Sequence, residues 1–334
     1  MTTADQGTKP TSIAFTFGDP VPVLDGRELA GYYQALWNGS YFEPPVSFDG
    51  LAKMLGANTH HQSAIRAKVN ILASCFQPHR LLSRGAFKRL ALDFLVFGNA
   101  WVERRENWLG GVLELAPTLA RWTRTRKDGS TLMLVDGAEH DFVPGKVFHF
   151  LEPDVSQEIY GVPGYLAAMQ SALLNEAATL FRRKYYVNGS HAGFILYLTD
   201  PAQDPADIDE LRTALREAKG PGNFRNLFLY APNGKHDGLK VIPVAEVGAK
   251  DEFLSIKNVT RDDVLAAHRV PPQLLGIVPN STGGFGDVEK AASVFARNEL
   301  DPLQAVFTDL NAWVGEEVVT FDPYVVGAAT APAT

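Results

Sequence analysis

The side chains that could do chemistry in this 334-residue sequence are eight histidines, one cysteine and several carboxylate pairs. The histidines are His60, His61, His79, His140, His149, His191, His236 and His268. No two of them stand four apart around a glutamate, the spacing that puts two imidazoles on one helical face to hold zinc. His60 and His61 are adjacent, and neighbouring side chains on a helix diverge by about 100°. They read as a solvated pair near a helix cap. Cys75 ends a helical pattern and has no basic neighbour before Arg80, which describes a buried structural thiol rather than a nucleophile. A single cysteine also excludes an intrachain disulfide and a Cys-rich zinc site. The acidic runs Asp207–Glu210, Asp262-Asp263 and Glu316-Glu317 read as solvated helix faces. Ser281–Gly286 precedes a helix as a phosphate loop does, but Asp287 and Val288 stand where such a loop needs Lys and Ser or Thr. A carboxylate there repels phosphate and caps the helix itself. Neither a catalytic set nor a metal or cofactor is expected, and a hydrolase built from a carboxylate pair stays as an alternative.

The elements that must carry these residues form an α+β pattern. Ser47 caps a helix with Leu51, Met54 and Leu55 inside; a second runs from about Gln62 to Ser74, and a third from Ser83 to Val96, closed by Gly98. The period then drops to two. Residues 100–105 and 112–115 flank Gly110-Gly111, and 121–125 and 131–135 flank Lys127-Asp128-Gly129, both hairpin signals; 147–150 is a further strand. A helix follows over 165–187. Next comes a small αβ unit: strand 194–198, a helix from Asp204 to Gly220, and strands 227–230 and 239–244 around Pro232-Asn233-Gly234. A helix over 251–268 and a long one from Asp287 complete the pattern. Pro302 lies inside the last helix, and a proline clashes with the carbonyl four residues back, so a kink is predicted near Asn298.

Composition sets the frame. The chain is 46% hydrophobic and 21% charged, which is globular, and its net charge of −7 argues against a tight nucleic-acid binder. No leader-like apolar segment and no membrane-spanning run occurs in the sequence.

Several segments resemble phage portal proteins, in their P2-like, PBSX-type branch. Phe97-Gly98-Asn99-Ala100-Trp101-Val102-Glu103 is similar to a portal segment, and Tyr160-Gly161-Val162-Pro163 and Tyr185–Ser190 resemble the start and end of the first stem helix. Ala266–Gly276, which contains Arg269-Val270-Pro271-Pro272, resembles another family segment. Ser281–Glu289 and Leu300-Asp301-Pro302-Leu303 resemble the tunnel loop and its kinked helix, and Tyr41–Ser47 and Leu81–Arg84 point to the branch. The matches come in order over about residues 40–315.

The resemblance implies a portal fold with an N-terminal arm (1–30), an α/β wing (31–160), a first stem helix (161–191) and a small αβ clip (192–247). A second stem helix (248–276), a tunnel loop (277–286), a long kinked tunnel helix (287–314) and a minimal crown (315–334) would follow. It implies no enzyme but a ring, typically a dodecamer, at one capsid vertex, assembled in the host cytoplasm. Double-stranded DNA would be packaged through it by a terminase large subunit and later ejected. Adaptor, major capsid and scaffolding proteins would be further partners, and no membrane. DNA would meet Asn280, Ser281, Thr282, Gly283, Gly284 and Phe285, with Lys290 and Arg297 nearby. Phe295, Leu303, Val306 and Phe307 would face neighbouring subunits, and Phe224, Arg225 and Phe228 of the clip would dock the terminase or connector. A phage-head scaffold or adaptor without a channel is the alternative.

Overall fold

The computed structural model describes residues 35–156, 158–187, 194–198, 239–243, 249–277 and 287–326. The chain divides into two compact units, one of residues 23–179 and 246–334, the other of residues 1–22 and 180–245.

The larger unit begins with three helices whose boundaries follow from local chemistry. Helix α1 (Phe48–Ala57) starts where Ser47 Oγ accepts the Gly50 N–H at 3.1 Å. Helix α2 (Thr59–Cys75) is capped in the same way by Asn58, whose Oδ1 accepts the His61 N–H at 2.9 Å. Helix α3 (Arg84–Phe97) is capped by Ser83 and ends at Gly98, in the left-handed region at φ 66°.

From there the chain turns into β1 (Asn99–Glu106) and β2 (Val112–Pro117), which pair with β6 (Val147–Leu151) in the order β2-β1-β6, all antiparallel. Strands β3 (Thr123–Thr125), β4 (Thr131–Val135) and β5 (Ala138–Asp141) form a second antiparallel sheet of their own. Arg121 and Trp122, expected in a strand, lie in a 3₁₀ turn (Ala120–Trp122).

After a 3₁₀ turn (Gly164–Ala168) comes α4 (Met169–Val187), whose first half lies against α5 (Ala249–Ala267). The Asn175 amide donates to Thr260 Oγ1 at 2.7 Å, and Ser171 Oγ to Asp263 at 2.9 Å. The last long helix is built in three parts: α6 (Val288–Phe295), a π turn (Ala296–Leu300) and α7 (Asp301–Val314). The predicted break is real, but its form is a π turn rather than a simple proline kink. The wider turn removes the regular hydrogen bond that Pro302 could not donate to Asn298.

Strand β1 is buried on both faces at its start, so its burial does not alternate. Ala100 and Val102 join Phe87, Phe94, Phe150, Phe295, Phe307 and Leu310 in one core; Trp101 on the opposite face joins Phe48, Met54, Tyr160 and Tyr165 in a second. Helices α2 and α3 contribute to both. The segment Val318–Phe321 closes the first core beside Phe76.

In the smaller unit, β7 (Phe194–Leu198) and β8 (Leu239–Pro243) pair antiparallel, with Leu196 opposite Val241. The arm 1–30, the helix expected over 204–220, the strand over 227–230 and the segment from Gly327 on lie outside the described residues.

Candidate functional site

Four segments singled out in the sequence converge at one place in the larger unit. The first two meet through glycine. The Glu152 N–H donates to Gly98 O at 2.8 Å and the Val162 N–H to Glu152 O at 3.2 Å. A Cβ on Gly161 would overlap the Gly98 carbonyl and the Glu152 backbone, and one on Gly98 would lie 2.7 Å from Pro163 N. Asn99 locks this contact from inside. Its Nδ2 donates to Phe97 O and Gly161 O, both at 2.8 Å, while its Oδ1 accepts the Gly161 N–H at 2.8 Å. That amide orientation requires His149 Nε2, 2.9 Å away, to carry the proton. His149 stacks on Trp101 at 4.2 Å, and burial pulls its pKa down to about 3.

The third segment enters at the C-terminus of α5. His268 lies stacked on Tyr165, and its Nε2 is 2.8 Å from His61 Nδ1. The Tyr165 hydroxyl donates to Val96 O. The expectation of solvated histidines fails at His61, which is buried with Nε2 unpartnered. Helix α2 places His61 on the side that carries Ile65 and Val69, so the apolar stripe takes it inward. Burial lowers the pKa of His61 to about 4 and of His268 to about 2, the latter also through the nearby His61 and Lys68.

The fourth segment, Leu300–Leu303, brings Pro302 and Leu303 to the same place, and the π turn just before it supplies Glu299. Its Oε1 pairs with Lys68 Nζ of α2 at 2.5 Å, with both side chains 6% exposed. Its Oε2 takes Arg269 Nη1 at 3.1 Å, and that arginine is 67% exposed. Desolvation lowers the pKa of Lys68, with Glu299 opposing the shift. Burial raises that of Glu152, helped by Glu299 and opposed by Arg269 and Lys68. A cavity of about 170 Å³ opens among Lys68, Glu152, Pro163, His268, Arg269 and Glu299.

Lys68 and Glu299 were missed in the sequence reading, although a signal was there. Lys68 stands on the stripe Ile65, Val69, Leu72, and Glu299 lies four residues from both Phe295 and Leu303. A charge inside an apolar stripe calls for a buried partner.

The expected interface residues need correction. Phe295, Leu303 and Phe307 are 2%, 8% and 0% exposed inside the chain's own core, so they have no surface left for a neighbour. Val306 is half-buried at the cavity. Lys290 is exposed and paired with Asp287, whose carboxylate caps α6 as expected, and Arg297 is exposed on the π turn. Asn280, Ser281, Thr282, Gly283, Gly284, Phe285, Phe224, Arg225 and Phe228 lie outside the described residues. Cys75 is buried, and Asp262, Asp263, Glu316 and Glu317 are exposed, as the sequence suggested. Among the described residues no group of His, Cys, Asp and Glu is placed to hold a metal, and no helix is long and apolar enough to cross a membrane.

The family profile described as "Phage portal protein" matches residues 57–322. The "Probable portal protein" of Escherichia phage P2 is 53% identical over 317 residues, 94% of this chain and 92% of that one. The chain belongs to the phage portal protein family. It is a portal protein of the phage head, and forming the channel for the packaged DNA is the standard function of such proteins. The "Probable portal protein" of Haemophilus phage HP1 is 37% identical over 280 residues, 81% of each chain. Among solved structures, the neck of a native gene transfer agent particle computed with C12 symmetry matches at TM-score 0.60 and 18% identity, over 88% of this chain and 87% of that one. An HK97 family phage portal protein from Corynebacterium diphtheriae matches at TM-score 0.59 and 15% identity, over 81% of this chain and 94% of that one. These two likenesses show a shared mixed helix-and-sheet fold. The relatives form a structural, non-enzymatic family.

Proposed function

We propose that the chain assembles as a ring, typically of twelve copies, at one vertex of the head, and that double-stranded DNA passes through it inward under a terminase and outward to the tail. The observation that carries this reading is the 53% identity to a portal protein along nearly the whole chain. The twelvefold neck in which a related fold occurs supports the copy number. A closed ring needs a heterologous interface, in which one surface of a subunit meets a different surface of the next.

In this reading residues 31–160 form the wing, α4 and α5 lie in the two stem segments, and 192–247 form the clip that docks the terminase and adaptor proteins. The loop 277–286 faces DNA, α6, the π turn and α7 form the tunnel helix, and 315–334 leave only a small crown. Lys290 and Arg297 supply two cations beside the loop, while the net charge of −7 keeps the passage from gripping phosphate tightly. The apolar residues left exposed on the helices, Leu174, Val259 and Val294, take over the subunit contacts first sought at Phe295, Leu303 and Phe307. Capsid and scaffolding proteins would hold the wing.

Negative-stain microscopy of the purified chain tests the reading. Rings with a central hole are expected; compact monomers at micromolar concentration would overturn it.

A further inference from the structure

Arg269 occupies a position that favours glycine. Helix α5 ends in a Schellman arrangement, with the Val270 N–H on Leu265 O at 3.0 Å and the Arg269 N–H on Ala266 O at 2.9 Å. The residue at this bend must take a left-handed backbone, and Arg269 does so at φ 54°. Glycine closes most such bends because any Cβ is strained there. The apolar contact that accompanies the motif is present in buried Val270 and Leu265. The backbone alone therefore asks for glycine, and only the side chain gives a reason for arginine.

That side chain reaches Glu299, the carboxylate in the middle of the long helix. Chain leaving α5 passes Pro271, Pro272 and a 3₁₀ turn (Pro272–Leu275) packed on the first core, and the long helix then returns toward the same carboxylate. One group thus ties the outgoing strand of chain to the incoming helix at the π turn. The two arms of the tie differ. Lys68 to Glu299 is buried, so Glu299 is neutralised whether or not Arg269 is present. Arg269 is the solvent-facing arm. Removing it leaves Glu299 paired with Lys68 and takes one of two nearby cations from the half-buried Glu152, so its loss alters geometry without opening the fold.

We propose that Arg269 is a positioning residue for DNA passage: it holds the outgoing segment 270–277 and helix α6 in one fixed arrangement through Glu299. The functional half of this proposal rests on the portal reading, and the structural half does not.

The test uses Arg269→Gly, which suits the left-handed backbone, and Arg269→Lys, which keeps the charge. Hydrogen exchange is followed over 270–277 and 288–295 in purified assemblies, and packaged DNA is measured after each variant replaces the gene in the parent phage. Arg269→Gly is expected to melt at or above the wild-type temperature, to exchange about tenfold faster in both segments and to package about tenfold less DNA. Arg269→Lys is expected to restore both to within about threefold. Wild-type exchange and packaging in Arg269→Gly would overturn the proposal, as would a packaging loss that only tracks a fall in melting temperature. If the wild-type gene itself fails to support packaging, the portal reading fails instead, and the exchange data still decide whether Arg269 positions these segments.

Discussion

At the scale of single residues, the buried histidines make stability depend on pH in a definite direction. His61, His149 and His268 are held below their ordinary value, His61 to about 4, chiefly by burial. The folded state then binds fewer protons than the unfolded chain. This contribution is complete above about pH 6.5 and is lost as pH falls toward the folded values. Asp93 runs the other way: burial raises it to about 6, so its contribution is present in acid and fades as pH rises through that value. Comparing variants with wild type isolates the histidine effect. His61→Gln is expected to flatten the fall in urea midpoint between pH 7 and pH 4.5, recovering about 2 kcal/mol of the acid loss; an unchanged slope would contradict this account. Histidine spacing could not tell that His61 would face another histidine 207 residues away. Lys68 and Glu299 were legible as charges within apolar stripes, whereas their pairing depends on a tertiary approach that no local pattern encodes.

At the scale of elements, boundaries set by local chemistry were the most readable. Ser47, Ser83 and Asp287 cap helices, and Gly98 closes one, because a short polar side chain or a left-handed backbone acts within one turn. Strand β5 went unread, since all four of its residues are exposed and give no apolar alternation. The break at Pro302 was visible, but not the π turn that accommodates it. The meeting of β1 with the segment before α4 gives a prediction at this scale. Gly161→Ala forces a Cβ into the Gly98 carbonyl and is expected to cost roughly 3 kcal/mol or to abolish folding. Gly85→Ala, in α3, where an added Cβ would meet only Ser83 Oγ at an ordinary contact distance of 4.0 Å, is expected to stabilise by about 0.5 kcal/mol. Denaturant midpoints of the two variants check the contrast, and a Gly161→Ala protein as stable as wild type would show that the glycine contact is not needed.

At the scale of the whole molecule, the ordered set of segments identified the family, while no single residue did. Assigning subunit contacts from an apolar stripe failed for a general reason. A stripe says that a face is covered, but not whether the cover is the same chain or another. Exposure separates the two. Val259 and Val294 remain 57% and 58% exposed, so Val259→Asp and Val294→Asp are expected to leave the folded chain within about 0.5 kcal/mol of wild type and to reduce rings to smaller species. Native mass spectrometry reads the outcome; intact rings in both variants would place the contacts elsewhere.

The first core has a further consequence for how the protein is made. It joins α2 and α3 to α7 and to Val318 and Val319, with Lys68 and Glu299 separated by 231 residues and the Asp322 N–H on Cys75 O. A ribosome adding about 5–20 residues per second needs roughly ten to fifty seconds to cross that interval. During that time the inner faces of α2 and α3 lack their cover. The larger unit must therefore close after nearly all of the chain has emerged, and a chain cut short before Glu299 would leave that core open.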